Sequence, residues 1–221
     1  MNTLTESKKA LIEKWQEKGI DPHLLQAFQD VPREDFVPEK LKDQAYLDQP
    51  LHIGHDQTIS QPTTIMNMLQ LLDASPKHKV LEIGAGSGYV CALLASMGCE
   101  VIGIEIVPEL AVGSSKVLEA LGFGKKIAIH AGDAGGGWEE DAPYNRILCS
   151  AAYAEVPHHL FDQLKVAGIM VAPVGSIEQR MLVMKKKKGG EIIEEDHGAY
   201  VFVPVTGKFG DGSEDLRMPL V

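Results

Sequence analysis

The sequence predicts an α/β fold: a mostly parallel central sheet with helices on both faces, a helical N-terminal extension and an antiparallel C-terminal edge. Three observations predict it. From Lys79 onward, short continuous apolar runs alternate with helix-like segments, the pattern of parallel strands covered on both faces. The first run, KVLEI, ends in a glycine-rich turn, GAGSG, that opens a helix. After Pro173, two apolar runs, QRMLVMKKK and AYVFVPV, lack helical period and flank a charged, glycine-containing connection, as neighbouring antiparallel strands do.

Each element follows in order. Residues 6–18 and 22–30 read as short helices, with Leu4, Leu11, Ile12 and Trp15 near one stripe. Thr3 with Glu6 fits a capping box. Pro32, Pro38 and Pro50 break the next stretch into short pieces. Pro62 opens a helix of about ten residues, with Ser60 or Gln61 near its N-cap. Then come the strand KVLEI, the helix YVCALLASM, the strand EVIGIEI and the helix PELAVGSSKVLEALG, begun by Pro108. KIAIH is a third strand, followed by the loop AGDAGGGW. YNRILCSAA is a fourth strand, HHLFDQLK a short helix and GIMVAPV a fifth strand. At 221 residues the chain is expected to form one domain in three parts. These are a helical and substrate-loop part (1–75), a cofactor-binding core (76–175) and the antiparallel edge (176–221). The KKKK run at 185–188 falls near the edge connection and keeps it soluble.

The totals narrow the function. Twenty-one basic against 31 acidic side chains leave a net charge of −10, which disfavours a nucleic-acid binder. No run of about 18 apolar residues offers a membrane span, and MNTLTESKKALIEKW lacks the apolar stretch of a signal peptide. Cys91, Cys99 and Cys149 sit among apolar neighbours without zinc-like spacing, so no metal site is expected and a reducing, cytoplasmic compartment is. No strongly apolar exposed helix demands an oligomer, so a monomer is the default.

The turn after KVLEI is where a parallel sheet binds a nucleotide. Gly84, Gly86 and Gly88 let the chain turn tightly and approach a ligand, beside the free N–H groups of the next helix. A dinucleotide fingerprint needs G-x-G-x-x-G. Here the spacing is G-x-G-x-G, with Tyr89 at the third dinucleotide position and Glu82 just before the turn. A carboxylate there repels pyrophosphate and suits a cationic group, which favours S-adenosylmethionine. Glu105, 21 residues past Gly84 at the end of the second strand, can accept both hydroxyls of a ribose. Asp133, in the loop after the third strand, can accept the exocyclic amine of adenine. Upstream, GHDQTISQP (54–62) packs hydroxyls and amides into an apparent loop before the Pro62 helix, either as a cap or as a ligand contact.

With these motifs the chain resembles the protein-L-isoaspartate (D-aspartate) O-methyltransferase family. The likeness runs through VPREDFVPE (31–39), QTISQP (57–62), VLEIGAGSGY (80–89), GIEIVPEL (103–110), GDA (132–134), APYNRILCSAA (142–152), VPHHLFDQLK (156–165), PVG (173–175) and FVPV (202–205). It implies a Rossmann-like, S-adenosylmethionine-dependent methyltransferase fold. It also implies methylation of the free α-carboxylate of L-isoaspartyl residues in damaged proteins and peptides, starting repair through a succinimide and leaving S-adenosyl-L-homocysteine. By the same resemblance, Ser60 is the active-site residue. Thr58, Ile59, Ser60, Ser150, Ala151 and Ala152 would meet substrate. Gln57, Thr58, Ser60, Glu82, Gly84, Ala85, Gly86, Ser87, Gly88, Glu105, Ile106, Asp133, Ala134 and Thr206 would meet the cofactor. The chain departs from the family pattern at His55-Asp56, Ala134 and Tyr153, and Asp56 puts a negative charge near the expected carboxylate substrate. Three rival readings stay open: a methyltransferase with another small-molecule or carboxylate acceptor, a nicotinamide oxidoreductase, and a relative that binds without turnover.

Overall fold

The computed structural model describes residues 3–209. Two helices, α1 (Thr3–Glu17) and α2 (Pro22–Asp30), lead in, and Asp21 caps α2 by accepting the His23 N–H at 2.7 Å. The capping box expected at Thr3 rests on a side chain outside the described ones. A short hairpin follows, β1 (Leu51–Gly54) and β2 (Gln57–Ile59), then α3 (Pro62–Leu72). The core alternates β3 (Lys79–Ile83), α4 (Tyr89–Ser96), β4 (Glu100–Glu105), α5 (Pro108–Ala120), β5 (Ile127–Ala131) and β6 (Tyr144–Cys149). It ends with α6 (His159–Asp162), β7 (Leu164–Val174), β8 (Gln179–Lys186) and β9 (Ile192–Tyr200).

The seven-stranded sheet runs β5-β4-β3-β6-β7-β8-β9. The pairs from β5 to β7 are parallel, and β7–β8 and β8–β9 are antiparallel. Successive strand residues point to opposite faces, so the sheet divides its apolar residues into two clusters. Val80, Val101, Leu148 and Val171 join α1 to α5 on one face. Leu81, Ile83, Ile104, Ile147 and Met170 face the other, where α6, Ala134 and Val205 cover them. Helix α4 is buried from Tyr89 to Ala95, which its unbroken apolar run requires.

The chain leaves β3 toward β4 on one side and returns as β6 on the other. Loops therefore diverge between the ends of β3 and β6, which is where an open α/β sheet leaves a crevice. Gly103, in the middle of β4, keeps the neighbouring layer close. A Cβ there would lie 2.6 Å from Ile129 Cδ1 and 2.8 Å from Cys91 Sγ. Overpacking of this kind costs about 1–3 kcal/mol. Gly103→Ala should therefore lower the melting temperature by roughly 2–10 °C, and an unchanged thermal midpoint would mean the core yields freely there.

Three elements differ from the sequence expectations. GHDQTISQP is a loop only at Ser60-Gln61: Gly54 to Ile59 close the β1–β2 hairpin, with Leu51 opposite Ile59 and His52 opposite Thr58. His55 and Asp56 make the turn with φ of 52° and 57°, a left-handed pair that a two-residue hairpin needs but that usually falls to Asn-Gly. The short helix expected over HHLFDQLK is only four residues long, because β7 already begins at Leu164 and bulges past Ala167. The last strand is IIEEDHGAY, not AYVFVPV. Being an edge strand, β9 needs no buried face, and its charges pair across to β8 as Lys185–Glu195 and Arg180–Asp196. Residues after Tyr200 instead turn back, with the Val205 N–H donating to the Ala152 carbonyl and the Ala152 N–H to that of Val203. Residues 210–221 of the expected C-terminal part lie outside the described residues.

Candidate active site

One cavity opens at the crevice between β3 and β6. Strand β3 brings Glu82 to its wall, and the turn behind it supplies Gly84, Ala85, Gly86 and Ser87. Strand β4 ends there with Glu105 and Ile106, and the loop after β5 adds Asp133 and Ala134. Ser150 and Ala151 come from the end of β6, and Gln57, Thr58, Ile59 and Ser60 from β2 and the link to α3. Thr206, on the returning C-terminal segment, completes the rim. Two of the residues named from sequence stand behind this wall. Gly88 is the left-handed N-cap of α4, and a Cβ there would meet Leu118 at 3.0 Å and Ser114 at 3.1 Å, so it serves helix packing. Ala152 is buried, and its backbone holds Val203 and Val205.

The acidic groups differ in environment. Glu82 is 1% exposed, with Cys91 Sγ donating to Oε2 at 2.8 Å and Ser150 Oγ to Oε1 at 2.9 Å. Burial pushes its pKa up to about 7 despite those two hydrogen bonds, with Glu105 adding to the rise. A carboxyl whose pKa is raised on folding stabilises the protein below its unfolded value near 4.5 and loses that contribution as pH climbs through about 7. Glu82→Gln removes the titration. The melting temperature of the variant relative to the native chain should therefore rise between pH 5 and 8, by the equivalent of about 3 kcal/mol at most. A difference that stays constant with pH would mean Glu82 is already charged at pH 5.

Glu105 braces the glycine turn. Its Oε2 accepts the Gly86 N–H at 2.7 Å and its Oε1 the Val107 N–H at 2.9 Å, and each oxygen keeps a lone pair for a further donor. Asp133 accepts the Gly135 N–H at 2.9 Å and the Lys208 N–H at 2.6 Å, which ties the C-terminal segment to the cavity rim.

Ser60 does not cap α3. The N-cap is Gln61, without a side-chain hydrogen bond, and the free N–H of Thr63 goes to Asp48 Oδ1 at 2.9 Å. Thr63 Oγ1 also donates to Asp48 Oδ2 at 2.6 Å and accepts from Trp15 Nε1 at 3.0 Å. A cap supplied from fifteen residues upstream leaves no local signature. Among the described residues nothing hydrogen-bonds the Ser60 hydroxyl. Of the three departures, Asp56 sits exposed at the hairpin tip outside the cavity lining. Tyr153 is buried, its hydroxyl donating to the Gly135 carbonyl at 2.8 Å, and Ala134 lines the cavity. The lining also includes Ile65, Met68, Tyr89 and Val203, none of which sequence reasoning placed in the site. They are apolar or aromatic residues at ordinary helix and extended-chain positions, where nothing separates lining from core.

The donor set fits a cofactor with positive charge and no phosphate. Three carboxylates, Glu82, Glu105 and Asp133, line the cavity, and no Lys, Arg or His does so among the described residues. That arrangement repels a pyrophosphate and suits a sulfonium, an ammonium and ribose hydroxyls.

Comparison with known proteins points the same way. A family model described as protein-L-isoaspartate(D-aspartate) O-methyltransferase matches residues 6–210. A protein-L-isoaspartate O-methyltransferase of Methanopyrus kandleri is 41% identical over 210 residues, covering 92% of this chain and 93% of that one. One of Methanocella arvoryzae is 46% identical over 183 residues, covering 81% and 96%. A solved protein-L-isoaspartate O-methyltransferase superposes with a TM-score of 0.84 at 26% identity, over 92% of this chain and 67% of that one. A candidate enzyme of that name from Plasmodium falciparum, in complex with S-adenosyl-L-homocysteine, gives 0.78 at 25% identity, over 90% and 97%.

Proposed function

Since the chain belongs to the protein-L-isoaspartate(D-aspartate) O-methyltransferase family, we propose that this cavity transfers a methyl group from S-adenosyl-L-methionine to the free α-carboxylate of L-isoaspartyl residues. The ester so formed lets the neighbouring amide close a succinimide, which starts repair of the damaged site. The observation that carries the reading is the Ser60 hydroxyl, which has no hydrogen-bond partner among the described residues, at an acid-lined cavity.

When bound, the cofactor supplies an electrophilic methyl group on a positively charged sulfur. The acceptor needs no general base, because an α-carboxyl titrates at about 3.3–3.7 and is ionised at neutral pH. The protein's work is therefore alignment and exclusion of water. In this reading Ser60 and Thr58 donate hydrogen bonds that orient the carboxylate, and Ile59, 5% exposed, keeps water out. Ser150 and Ala151, small residues at the end of β6, leave room for the peptide. The hairpin fixes Thr58 opposite His52 and Ile59 opposite Leu51, so Thr58 sits on a paired strand and Ser60 follows directly after it, in the link to α3. Glu105 would accept the ribose hydroxyls, Glu82 would face the amino-acid end, and Asp133 would lie at the adenine edge with Ile106, Ala134 and Thr206. Gln57 and the turn residues Gly84, Ala85, Gly86 and Ser87 complete this part.

We place the protein in a reducing, cytoplasmic compartment, supported by three free, buried cysteines, and propose a monomer; among the described residues no helix is long and apolar enough to cross a membrane. Labelled methyl transfer to two peptides differing only in an L-isoaspartyl or L-aspartyl linkage tests the function. Base-labile label on the isoaspartyl peptide alone is expected. Label on neither, with S-adenosylhomocysteine still raising the melting temperature, would move the activity to another acceptor.

A further inference from the structure

The cavity that should accept an anion carries three acids in its wall and, among the described residues, no base. One cation stands directly behind that wall. Arg33 is fully buried, and its Nη2 donates to the Ser60 carbonyl at 2.7 Å and its Nε to that of Ala45 at 2.8 Å. Its guanidinium carbon lies 5.1 Å from the ring centroid of Tyr89, which itself lines the cavity. The acceptors of its side-chain hydrogen bonds are carbonyls; Asp48 acts on the charge electrostatically, without a hydrogen bond to it. Nη1 and the Tyr89 hydroxyl are both buried and unpartnered among the described residues.

A buried charge held this way is costly, and two carbonyls alone could be satisfied by a neutral side chain. Burial lowers the pKa to about 10, so the group stays charged at neutral pH. We propose that Arg33 is a positioning residue for this reaction: it fixes the Ser60 backbone through the serine carbonyl, and its buried charge makes the acid-lined cavity receptive to an α-carboxylate. Standing one layer back also suits the chemistry. A cation in contact with the carboxylate would quench the nucleophile, whereas one behind the serine attracts it without capturing its lone pairs.

The inference rests on the isoaspartyl reading, so the native enzyme is assayed first: no transfer to the isoaspartyl peptide defeats that reading. Given transfer, two variants separate the roles. Arg33→Gln, which keeps hydrogen bonding and loses charge, should raise peptide KM by about tenfold or more with S-adenosylhomocysteine affinity within about twofold. Arg33→Lys, which keeps charge and loses the fork, should lower kcat about tenfold with KM within about threefold. Lowered melting temperature with kcat and KM intact, or a parallel loss of cofactor affinity, would make Arg33 a structural tie. The native protein gives a second measurement that stands even where neither variant folds. With S-adenosylhomocysteine bound, which has no sulfonium charge, the α-carboxylate peptide should bind at least about fivefold more tightly than its α-carboxamide analogue. Equal or weaker binding of the carboxylate overturns the proposal.

Discussion

Replacing Glu105 with alanine should weaken S-adenosylhomocysteine binding by about a hundredfold. The side chain is 5% exposed and holds both the Gly86 and Val107 N–H groups. Hydrogen bonds to a charged group contribute about 1.5–3 kcal/mol each, and two ribose hydroxyls on the remaining lone pairs would add two more. Loss of about 3 kcal/mol of ligand contact corresponds to roughly two decades in affinity. Because the carboxylate also braces the glycine turn, Glu105→Ala alone mixes a ligand effect with a loop effect. Glu105→Gln separates them. Its amide can accept one backbone N–H but presents its NH2 to the other, so the brace is damaged while a ribose acceptor partly survives. Calorimetry should rank affinity as native, then Gln, then Ala. If both variants bind S-adenosylhomocysteine like the native chain, the ribose is held elsewhere.

How much of this was legible in the sequence depends on how local the signals are. The run from KVLEI to GIMVAPV encodes its own period: short apolar strands alternate with helices, α4 opened by the glycine turn and α5 by Pro108, and leave little alternative to a parallel sheet. The glycine turn, Glu82, Glu105 and Asp133 follow from that order, because the ends of parallel strands share one edge. What failed to show were pairings made at a distance. The α3 cap comes from Asp48, the His55-Asp56 turn carries no Asn-Gly signature, and β9 is charged because an edge strand needs no apolar face. Arg33 belongs to the same class. Its motif, VPREDFVPE, was visible, but the Ser60 carbonyl that gives it a role lies 27 residues on.

The Ser60→Ala variant should lose about ten- to a hundredfold in kcat while its melting temperature and its affinity for S-adenosylhomocysteine hold. The reasoning starts from charge. A carboxylate attacking a sulfonium loses negative charge as the bond forms, so a donor that stabilised the anion strongly would slow the step. A neutral hydroxyl orients the oxygen at a smaller penalty, and misalignment by about 1 Å can cost about a hundredfold. Stability should be untouched, because Gln61 and Asp48, not Ser60, serve the start of α3. A capping serine would behave in the opposite way, giving up about 1 kcal/mol of stability on conversion to alanine and none of the rate. Ser60→Thr sharpens the comparison, since it keeps the donor and adds a methyl group beside Ile59. Retained rate in Thr with loss in Ala assigns the effect to the hydroxyl. Loss in both assigns it to shape, and a rise in peptide KM with kcat unchanged would make Ser60 a docking group that does not align the reacting atoms.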